Sequence, residues 1–286
     1  MSASLLGQSF PGVPVMRLCA LLGVSRASFY RAVREPQETN GETGLVTRIE
    51  DLVLTFAGYG YRRVWAQLRK EGASVSQRQV RRLMKEQSLL CQIKRRWVRT
   101  TDSEHGLKVY PNLAKDFTTT GLDQLWVTDI TYVRLPNGFC YLSVILDAHS
   151  RKAVAWHLSR SIDSRLVLES LGKAVASRTP PQGWIHHSDR GTQYACRGYV
   201  DAVKEAGGRL SMSSRACPYD NARAESFFAT LKKEEVHQES CSSFSQAQAS
   251  VERYIDQIYN ATRLHSSLGY EAPDQFEAMI KGKARN

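Results

Sequence analysis

The chain has 286 residues, 42% of them hydrophobic, and a formal net charge of +11. This composition argues against a disordered chain, and the length leaves room for two domains. No apolar run approaches the roughly 18 residues of a membrane span, and the first residues lack the basic and apolar segments of a signal peptide. The six cysteines include no Cys-x-x-Cys pair, which argues against a disulfide framework and a zinc site. We therefore expect a cytoplasmic protein without membrane association.

The positive charge is concentrated in the first part of the chain. Residues 1–110 carry a net charge of +9, whereas residues 111–286 carry +2. A basic segment beside a nearly neutral one predicts an arm that binds a polyanion, attached to a separate working domain. The alternative is a basic surface that keeps the protein soluble and has no partner.

Two passages in the basic segment have the pattern of a helix–turn–helix. In the first, over residues 15–33, two helices flank a turn at Gly23. In the second, residues 61–70 and 77–86 form helices, and Ser76 caps the latter. Two such passages in tandem favour DNA binding over ordinary helical hairpins with a solvated charged face. The candidate DNA contacts in the second passage are Arg62, Arg63, Arg78, Arg81, Arg82 and Lys85.

Residues 91–121 are turn-rich and weakly apolar, and they predict a linker. From residue 122 the pattern changes to three strands, a helix, a strand, a helix, a strand and a helix, followed by two more helices. The predicted strands span residues 125–135, 139–147, 153–158, 183–187 and 209–212. The predicted helices span residues 163–177, 192–206, 221–235, 245–259 and 273–281.

This order of elements is that of the ribonuclease-H-like fold. It is an α/β fold in which a central sheet carries acidic residues on adjacent strands and on a flanking helix. The predicted domains are an all-α helix–turn–helix region, a linker, a ribonuclease-H-like catalytic core and a helical C-terminal extension. They span residues 1–90, 91–121, 122–238 and 239–286.

Three acidic residues occupy places that suit one shared site. Asp129 lies inside the first strand, Asp189 follows the fourth, and Glu225 lies in the first turns of the last core helix. Three carboxylates together can hold two divalent ions such as Mg²⁺, the arrangement that activates in-line phosphoryl displacement. Taken singly, Asp129 could form an internal salt bridge, Asp189 could be a turn or helix-cap residue, and Glu225 could be a surface residue. The combination predicts a metal-dependent nuclease or strand-transfer enzyme.

Lys232 and a pair of histidines lie close to these acidic residues in the sequence. Lys232 follows Glu225 by two helical turns and shares its face, where a cation could meet a DNA phosphate. The alternative is a solvated lysine paired with a nearby glutamate. His186 and His187 are neighbours on a strand and point to opposite faces, so we expect one to face the core and the other the site.

The motifs around these residues resemble those of a known family. Trp126-Val-Thr-Asp-Ile-Thr-Tyr132, His187-Ser-Asp-Arg-Gly-Thr-Gln-Tyr194 and Tyr219-Asp-Asn-Ala-x-x-Glu-Ser-Phe-Phe228 resemble the DDE integrase-core motifs of OrfB-type insertion-sequence transposases, relatives of retroviral integrases. Tyr59-Gly-Tyr-Arg-Arg63 with residues 80–84 is similar to that group's helix–turn–helix segment. Tyr259-Asn-x-x-Arg-x-His265 with residues 268–273 is similar to its C-terminal signature. The resemblance covers residues 45–280 and includes the 35 residues between Asp189 and Glu225.

The resemblance implies two sets of site residues. The catalytic, metal-binding triad is Asp129, Asp189 and Glu225. The residues that position DNA are His187, Asn221 and Lys232. The implied cofactor is Mg²⁺, with Mn²⁺ as a possible substitute and two ions per active site.

The resemblance also implies an activity and its partners. The protein would bind the terminal inverted repeats of a transposon, cleave its ends and join them to target DNA by attack of the 3′-hydroxyl. The implied partners are double-stranded DNA, further copies of the chain in a DNA-bridged homo-oligomer, and the product of an upstream reading frame. The implied location is the nucleoid in the bacterial cytoplasm.

Two other functions are compatible with the sequence. A ribonuclease-H-like nuclease or resolvase would cut DNA without joining it. A non-catalytic DNA-binding regulator would use the three carboxylates only for structure. The tandem helix–turn–helix passages and the C-terminal signature favour the transposase.

Overall fold

The computed structural model of the protein describes residues 15–16, 19, 23, 25, 40–56, 58–90, 107–136, 138–214, 221–236 and 241–283. The chain forms two units, Met1–Asp51 and Leu52–Asn286, each of which is described by itself. This division differs from the predicted boundary at residue 90, because it groups the second helix–turn–helix passage with the α/β core. The first predicted passage, residues 15–33, lies largely outside the described residues.

A helix that the sequence pattern did not predict precedes the second passage. This helix, α1, spans Asn40–Thr55. Gly41 and Gly44 lie in its first turns, and glycine has a low intrinsic helix propensity. The pattern therefore gave no helix signal at its start.

The second predicted helix–turn–helix passage is present with the predicted bounds. Its helices are α2 (Tyr61–Lys70) and α3 (Gln77–Glu86). Ser76 caps α3 as predicted, because its Oγ accepts a hydrogen bond from the Gln79 N–H at 3.2 Å. The apolar side chains of both helices are buried, namely Val64, Ala66, Leu68, Val80, Leu83 and Met84.

Five strands form one mixed sheet in the order β3-β2-β1-β4-β5. They are β1 (Leu125–Leu135), β2 (Gly138–Asp147), β3 (Ala153–Ser159), β4 (Ile185–Ser188) and β5 (Arg209–Met212). The first three are antiparallel neighbours, whereas β4 pairs parallel with β1, and β5 pairs parallel with β4. All five predicted strands are present, and β1 and β5 have the predicted bounds.

The helices of the core and of the C-terminal part lie where they were predicted, but three of them are interrupted or change their helical type. They are α4 (Ser164–Arg178), α5 (Thr192–Ala195), α6 (Arg197–Glu205), α7 (Ala222–Leu231), α8 (Phe244–Glu252) and α9 (Pro273–Lys283). The predicted helix over residues 192–206 breaks at Cys196, whose backbone is extended. Two predicted helices pass into wider π-helical turns, Lys232–Val236 after α7 and Arg253–Asn260 after α8.

Helices cover both faces of the sheet, and successive residues of β1 alternate between them. Leu125 and Val127 belong to the buried cluster that contains residues of α7 and α8. Trp126 belongs to the cluster that contains residues of α4 and α6. This is the predicted α/β arrangement, with a central strand buried from both sides. Among the described residues, no helix combines the length and the apolar character needed to cross a membrane.

Candidate active site and DNA-contacting residues

Asp129 and Asp189 lie at matching places on two neighbouring parallel strands. Val127 of β1 pairs with His187 of β4, and each aspartate follows its paired residue by two positions. Because side chains two apart on a strand point to the same face, Asp129 faces the side of the sheet that buries Val127. Asp189 lies just beyond β4, where its Oδ1 accepts a hydrogen bond from the Gly191 N–H at 2.9 Å. The pairing register thus brings the two carboxyl groups to the same part of the sheet.

The negative charges of the three predicted triad members meet at Asp129. Burial and the charges of Asp189 and Glu225 raise the pKa of Asp129 to about 8. Two groups act in the opposite direction. The Ile130 N–H donates to Asp129 Oδ1 at 2.8 Å, and Lys232 adds a positive charge. A carboxyl group in such surroundings loses its proton only at a higher pH than usual.

Glu225 lies in the first turn of α7, beside the buried face of that helix. The buried residues recur at helical spacing and pack α7 into the cluster that contains β1. They are Ala224, Phe227, Phe228 and Leu231. The Glu225 side chain is largely exposed, and burial of its remaining part raises its pKa.

Asn221 joins the start of α7 to the strand that carries Asp129. Its Nδ2 donates a hydrogen bond to Thr128 O at 3.2 Å, and the side chain is buried. Its Oδ1 is buried and has no hydrogen-bond partner among the described residues. The structure therefore places Asn221 as a link between α7 and β1, rather than as an exposed DNA contact.

Lys232 lies where the turn after α7 approaches β1. Its Nζ is 4.6 Å from the centroid of the Tyr132 ring, and its charge acts on Asp129, three residues earlier on the same strand. Partial burial lowers the pKa of Lys232, whereas the charge of Asp129 raises it. A cation thus lies close enough to Asp129 to act on its carboxyl group.

The three carboxylates fit a divalent metal ion by their chemistry, although they do not form a finished cluster. Among the described residues, no group of three or more His, Cys, Asp or Glu side chains is arranged so that it could hold a metal ion. Carboxylate oxygens are the ligands that Mg²⁺ and similar ions prefer. A cation between Asp129, Asp189 and Glu225 would also relieve the repulsion that raises the pKa of Asp129.

The burial of His187 does not fit the expectation that it contacts DNA. Its side chain is fully buried, and its two ring nitrogens lie 2.8 Å from Ser211 Oγ and 3.1 Å from Ser213 Oγ. His186 is buried on the opposite face, with Nε2 2.5 Å from the Tyr199 hydroxyl. The two histidines do point to opposite faces, but both are buried, so neither reaches solvent. His187 instead joins β4, which leads to Asp189, to β5.

Five of the six predicted DNA contacts in α2 and α3 are exposed. They are Arg62, Arg78, Arg81, Arg82 and Lys85. The guanidinium groups of Arg62 and Arg81 each lie 5.5 Å from the centroid of the Tyr61 ring, which brings cations of the two helices together. Arg82 also pairs with Glu86 at 3.2 Å on the surface of α3.

Arg63 is the exception, and the structure corrects its predicted role. Its Nη1 lies 3.8 Å from Glu234 Oε1, and its guanidinium group lies 5.6 Å from the centroid of the Tyr59 ring. Burial and the like charge of Arg263 lower the pKa of Arg63. Arg63 therefore belongs to an internal ionic group and is not a free DNA contact.

The sequence analysis did not identify two buried residues near the acidic site, Tyr194 and Glu234. The Tyr194 hydroxyl is fully buried, 3.4 Å from Thr128 Oγ1, and burial and the charge of Asp129 raise its pKa. Tyr194 ends the motif that begins at His187, which was the available signal. Glu234 gave no such signal, because its partners are distant in the sequence.

A mixed sheet covered on both faces, with acidic side chains on a central strand, just after its parallel neighbour and on the helix beside them, is the arrangement of an integrase-type polynucleotidyl transferase core. Family comparisons agree with this class. Residues 120–218 match the family described as "Integrase core domain", and residues 206–273 match a second family of the same description. Residues 42–97 match the family described as "HTH-like domain".

Individual relatives cover nearly the whole chain. An uncharacterized 31 kDa protein of insertion element IS600 from Shigella sonnei is 35% identical over 263 residues, 91% of this chain and 97% of that one. The transposase InsF for insertion sequence IS3A of Escherichia coli strain K12 is 33% identical over 269 residues, 92% of this chain and 93% of that one. A crystal structure of the catalytic core domain of BIV integrase is 14% identical, with a TM-score of 0.42, and covers 57% of this chain and 99% of that one.

The chain belongs to the family of insertion-sequence transposases that carry an integrase catalytic core. It is thus a DDE transposase with a ribonuclease-H-like core and an HTH-like region, which confirms the predicted fold and enzyme class. DNA cleavage and strand transfer, together with dependence on a divalent metal, are general in this family.

Proposed function

We propose that Asp129, Asp189 and Glu225 are the residues with which this transposase cuts transposon ends and joins them to target DNA. The observation that carries the proposal is the register of β1 and β4, which brings Asp129 and Asp189 to the same part of the sheet, where the charges of Asp189 and Glu225 act on Asp129. Carboxylates close together repel one another, and burying them lowers the stability of the fold. Such groups are therefore found mainly at functional sites. The proposed ligands of the three carboxylates are two Mg²⁺ ions, which Mn²⁺ can replace.

The protein's own side chains hold and orient the reacting groups. Bound divalent ions supply activation of the attacking oxygen and neutralise charge that develops on the phosphodiester. The Ile130 and Gly191 N–H groups each orient one aspartate, and Lys232 offers a positive charge to a phosphate beside Asp129. Water attacks the phosphodiester at the transposon end, whose 3′-oxygen leaves as a 3′-hydroxyl. This hydroxyl then attacks a target phosphodiester in line and displaces the 3′-oxygen of the target strand.

The proposed DNA-binding surface is the exposed basic side of α2 and α3. Its cations would neutralise phosphates of the terminal inverted repeats and help the protein distinguish their bases. Joining two ends requires two active sites, so we propose a homo-oligomer bridged by DNA. The DNA substrate places its work at the nucleoid in the bacterial cytoplasm.

The experiment compares the wild type with Asp129→Asn, and Asp201→Asn serves as the matched control on the surface of α6. Cleavage of a duplex that carries the transposon end is measured in Mg²⁺, together with DNA affinity and Mn²⁺ binding. We expect Asp129→Asn to lower the cleavage rate by about a thousand-fold or more and to weaken Mn²⁺ binding, with unchanged DNA affinity. Wild-type cleavage by Asp129→Asn would refute the assignment.

A further inference from the structure

Two segments that the sequence marks as separate motifs and the turn after α7 meet at one buried carboxylate, that of Glu234. They are Tyr59–Arg63 at the start of α2, the π-helical turn Lys232–Val236 after α7, and Tyr259–His265 near the C-terminus. All three belong to the unit Leu52–Asn286. Their shared contact gives these motifs a common structural role.

Glu234 accepts hydrogen bonds from two segments and pairs with a third. Arg263 donates through Nε to Oε2 at 2.8 Å and through Nη2 to Oε1 at 2.9 Å, a bidentate pair. The Tyr254 hydroxyl donates to Oε2 at 2.8 Å, and Arg63 Nη1 lies 3.8 Å from Oε1. The side chains of Glu234 and Arg263 are 8% and 3% exposed, so water does not replace these contacts.

The chain ahead of α2 lies directly against Glu234. A Cβ atom on Gly58 would lie 2.6 Å from Glu234 Cδ, so a larger residue there must displace the Glu234 side chain. A second attachment lies nearby, because the Leu264 N–H donates to the Tyr59 hydroxyl at 2.8 Å. The start of α2 is therefore held by both the turn after α7 and the C-terminal segment.

The charges in this group depend on one carboxylate. Burial alone would raise the pKa of Glu234, but the hydrogen bonds and charge of Arg263 outweigh it and lower the pKa below its usual value. The ionised Glu234 compensates two guanidinium groups, those of Arg63 and Arg263. Loss of the negative charge of Glu234 would leave both guanidinium groups largely buried without a compensating negative charge.

The π-helical turn directs two consecutive buried glutamates to different partners. Glu235 accepts hydrogen bonds from Ser250 Oγ at 2.7 Å and from Arg253 Nη2 at 2.5 Å. These residues lie in α8 and at its end, so Glu235 joins the turn to α8. Glu234 joins the same turn to α2 and to Arg263, which makes Glu235 a matched control for it.

We propose that Glu234 is a positioning residue for the transposase reaction. It attaches the turn that carries Lys232, and with it α7 and Glu225, to the helix–turn–helix helices that bind DNA. A DNA end bound by α2 and α3 is thereby held at a fixed distance and orientation from the acidic residues. This inference rests on the function proposed for Glu225 and Lys232.

The test uses the full chain with two variants and a control. Glu234→Gln removes the charge and keeps the shape, whereas Gly58→Ala keeps every charge and displaces the Glu234 side chain. Glu235→Gln removes the neighbouring buried charge without touching α2. Hydrogen–deuterium exchange is measured over residues 58–70. Single-turnover cleavage at saturating DNA and Mg²⁺ gives the rate constant separately from the active fraction.

We expect Glu234→Gln and Gly58→Ala to speed exchange over residues 58–70 by about ten-fold. We expect both to lower the cleavage rate constant by about ten-fold or more, with the active fraction little changed, because a small displacement misplaces the reacting groups. Glu235→Gln should leave both quantities near wild type. Wild-type exchange in Glu234→Gln, a loss confined to the active fraction, or an equal rate loss in Glu235→Gln would overturn the proposal.

Failure of the proposed function gives a different result. If Asp129→Asn cleaves as well as the wild type, or the wild type does not cleave, the assignment of the catalytic residues fails. The exchange measurement does not depend on cleavage. Faster exchange in Glu234→Gln would still support the attachment of α2 through Glu234. Unchanged exchange in this variant would overturn that attachment.

Discussion

The positive charge of Lys232 opposes the effects that raise the pKa of Asp129 to about 8. Those effects are burial and the negative charges of Asp189 and Glu225. Without a bound cation, Asp129 is therefore largely protonated at neutral pH. A metal ion binds the ionised carboxylate, so a proton and a metal ion compete for this side chain.

Metal affinity should rise with pH between 6 and 8. Below a pKa of about 8, each metal ion that binds must displace the proton of Asp129. We expect the half-saturating Mn²⁺ concentration to fall by up to about ten-fold for each pH unit in this range. Calorimetric titration of the DNA-free protein measures it. A half-saturating concentration that is constant from pH 6 to 8 would contradict the raised pKa.

Asp129→Asn should stabilise the metal-free protein at high pH. The pKa of Asp129 is raised from 3.8 to about 8, so the folded chain holds this proton more strongly than the unfolded chain. That contribution to stability is full below pH 3.8 and is lost as the pH rises through about 8. We expect the Tm of Asp129→Asn in EDTA to exceed that of the wild type by about 2–4 °C at pH 9.

The advantage of Asp129→Asn should shrink towards pH 5, where wild-type Asp129 is already neutral. Asp201→Asn controls for loss of an exposed aspartate, because Asp201 pairs only at the surface with Arg197 in α6. Thermal unfolding at pH 5, 7 and 9 makes the comparison. A lower Tm for Asp129→Asn at pH 9 would show that the carboxylate is structural.

Lys232→Met should impair catalysis more than DNA binding. The Lys232 ammonium group lies over Tyr132 and acts on Asp129, so its loss removes a cation from the site and raises the pKa of Asp129 further. We expect the cleavage rate at saturating DNA to fall by about 10- to 1000-fold, with Kd little changed. Lys204→Met, at an exposed position of α6, is the control. A larger effect on Kd than on rate would assign Lys232 to binding alone.

Arg81→Ala should weaken DNA binding, whereas Arg63→Ala should lower the stability of the fold. Arg81 is exposed beside Tyr61, and its removal should weaken DNA binding and reduce the salt dependence of log K by about one counterion. Arg63 pairs with Glu234, and its removal should lower the free energy of unfolding by about 1–3 kcal/mol with the salt dependence unchanged. DNA titrations at several salt concentrations, with urea unfolding, separate them. Equal salt slopes for both variants would contradict the assignment.

Much of the core was predictable because local signals agreed. Helix α3 began at the predicted residue, since Ser76 caps it and three apolar side chains recur at helical spacing. Strand β1 kept its predicted bounds because it is rich in β-branched and aromatic residues and ends in a turn at Pro136. Asp129 could be chosen because charged residues are rare inside buried strands, and Asp189 because it completes a set of three carboxylates that suits a metal site.

What the sequence did not predict depends on packing between distant segments. The burial of His187 follows from coverage of both sheet faces, which the alternation within one strand does not reveal. The pairing of Arg63 with Glu234 joins segments far apart in the chain. The π-helical turn that carries Glu234 has no marker in a pattern of ordinary helical spacing.

Strand transfer with precleaved transposon ends tests whether the three carboxylates catalyse DNA joining. Ends with a free 3′-hydroxyl are incubated with a plasmid target, Mg²⁺ and either the wild type or the Asp129→Asn, Asp189→Asn and Glu225→Gln variants. We predict that the wild type joins the ends, and that each variant binds them with wild-type affinity and joins about a thousand-fold more slowly or not at all. Joining at the wild-type rate by any of the three variants, or cleavage of uncut ends by a wild type that never joins them, would contradict the proposed function.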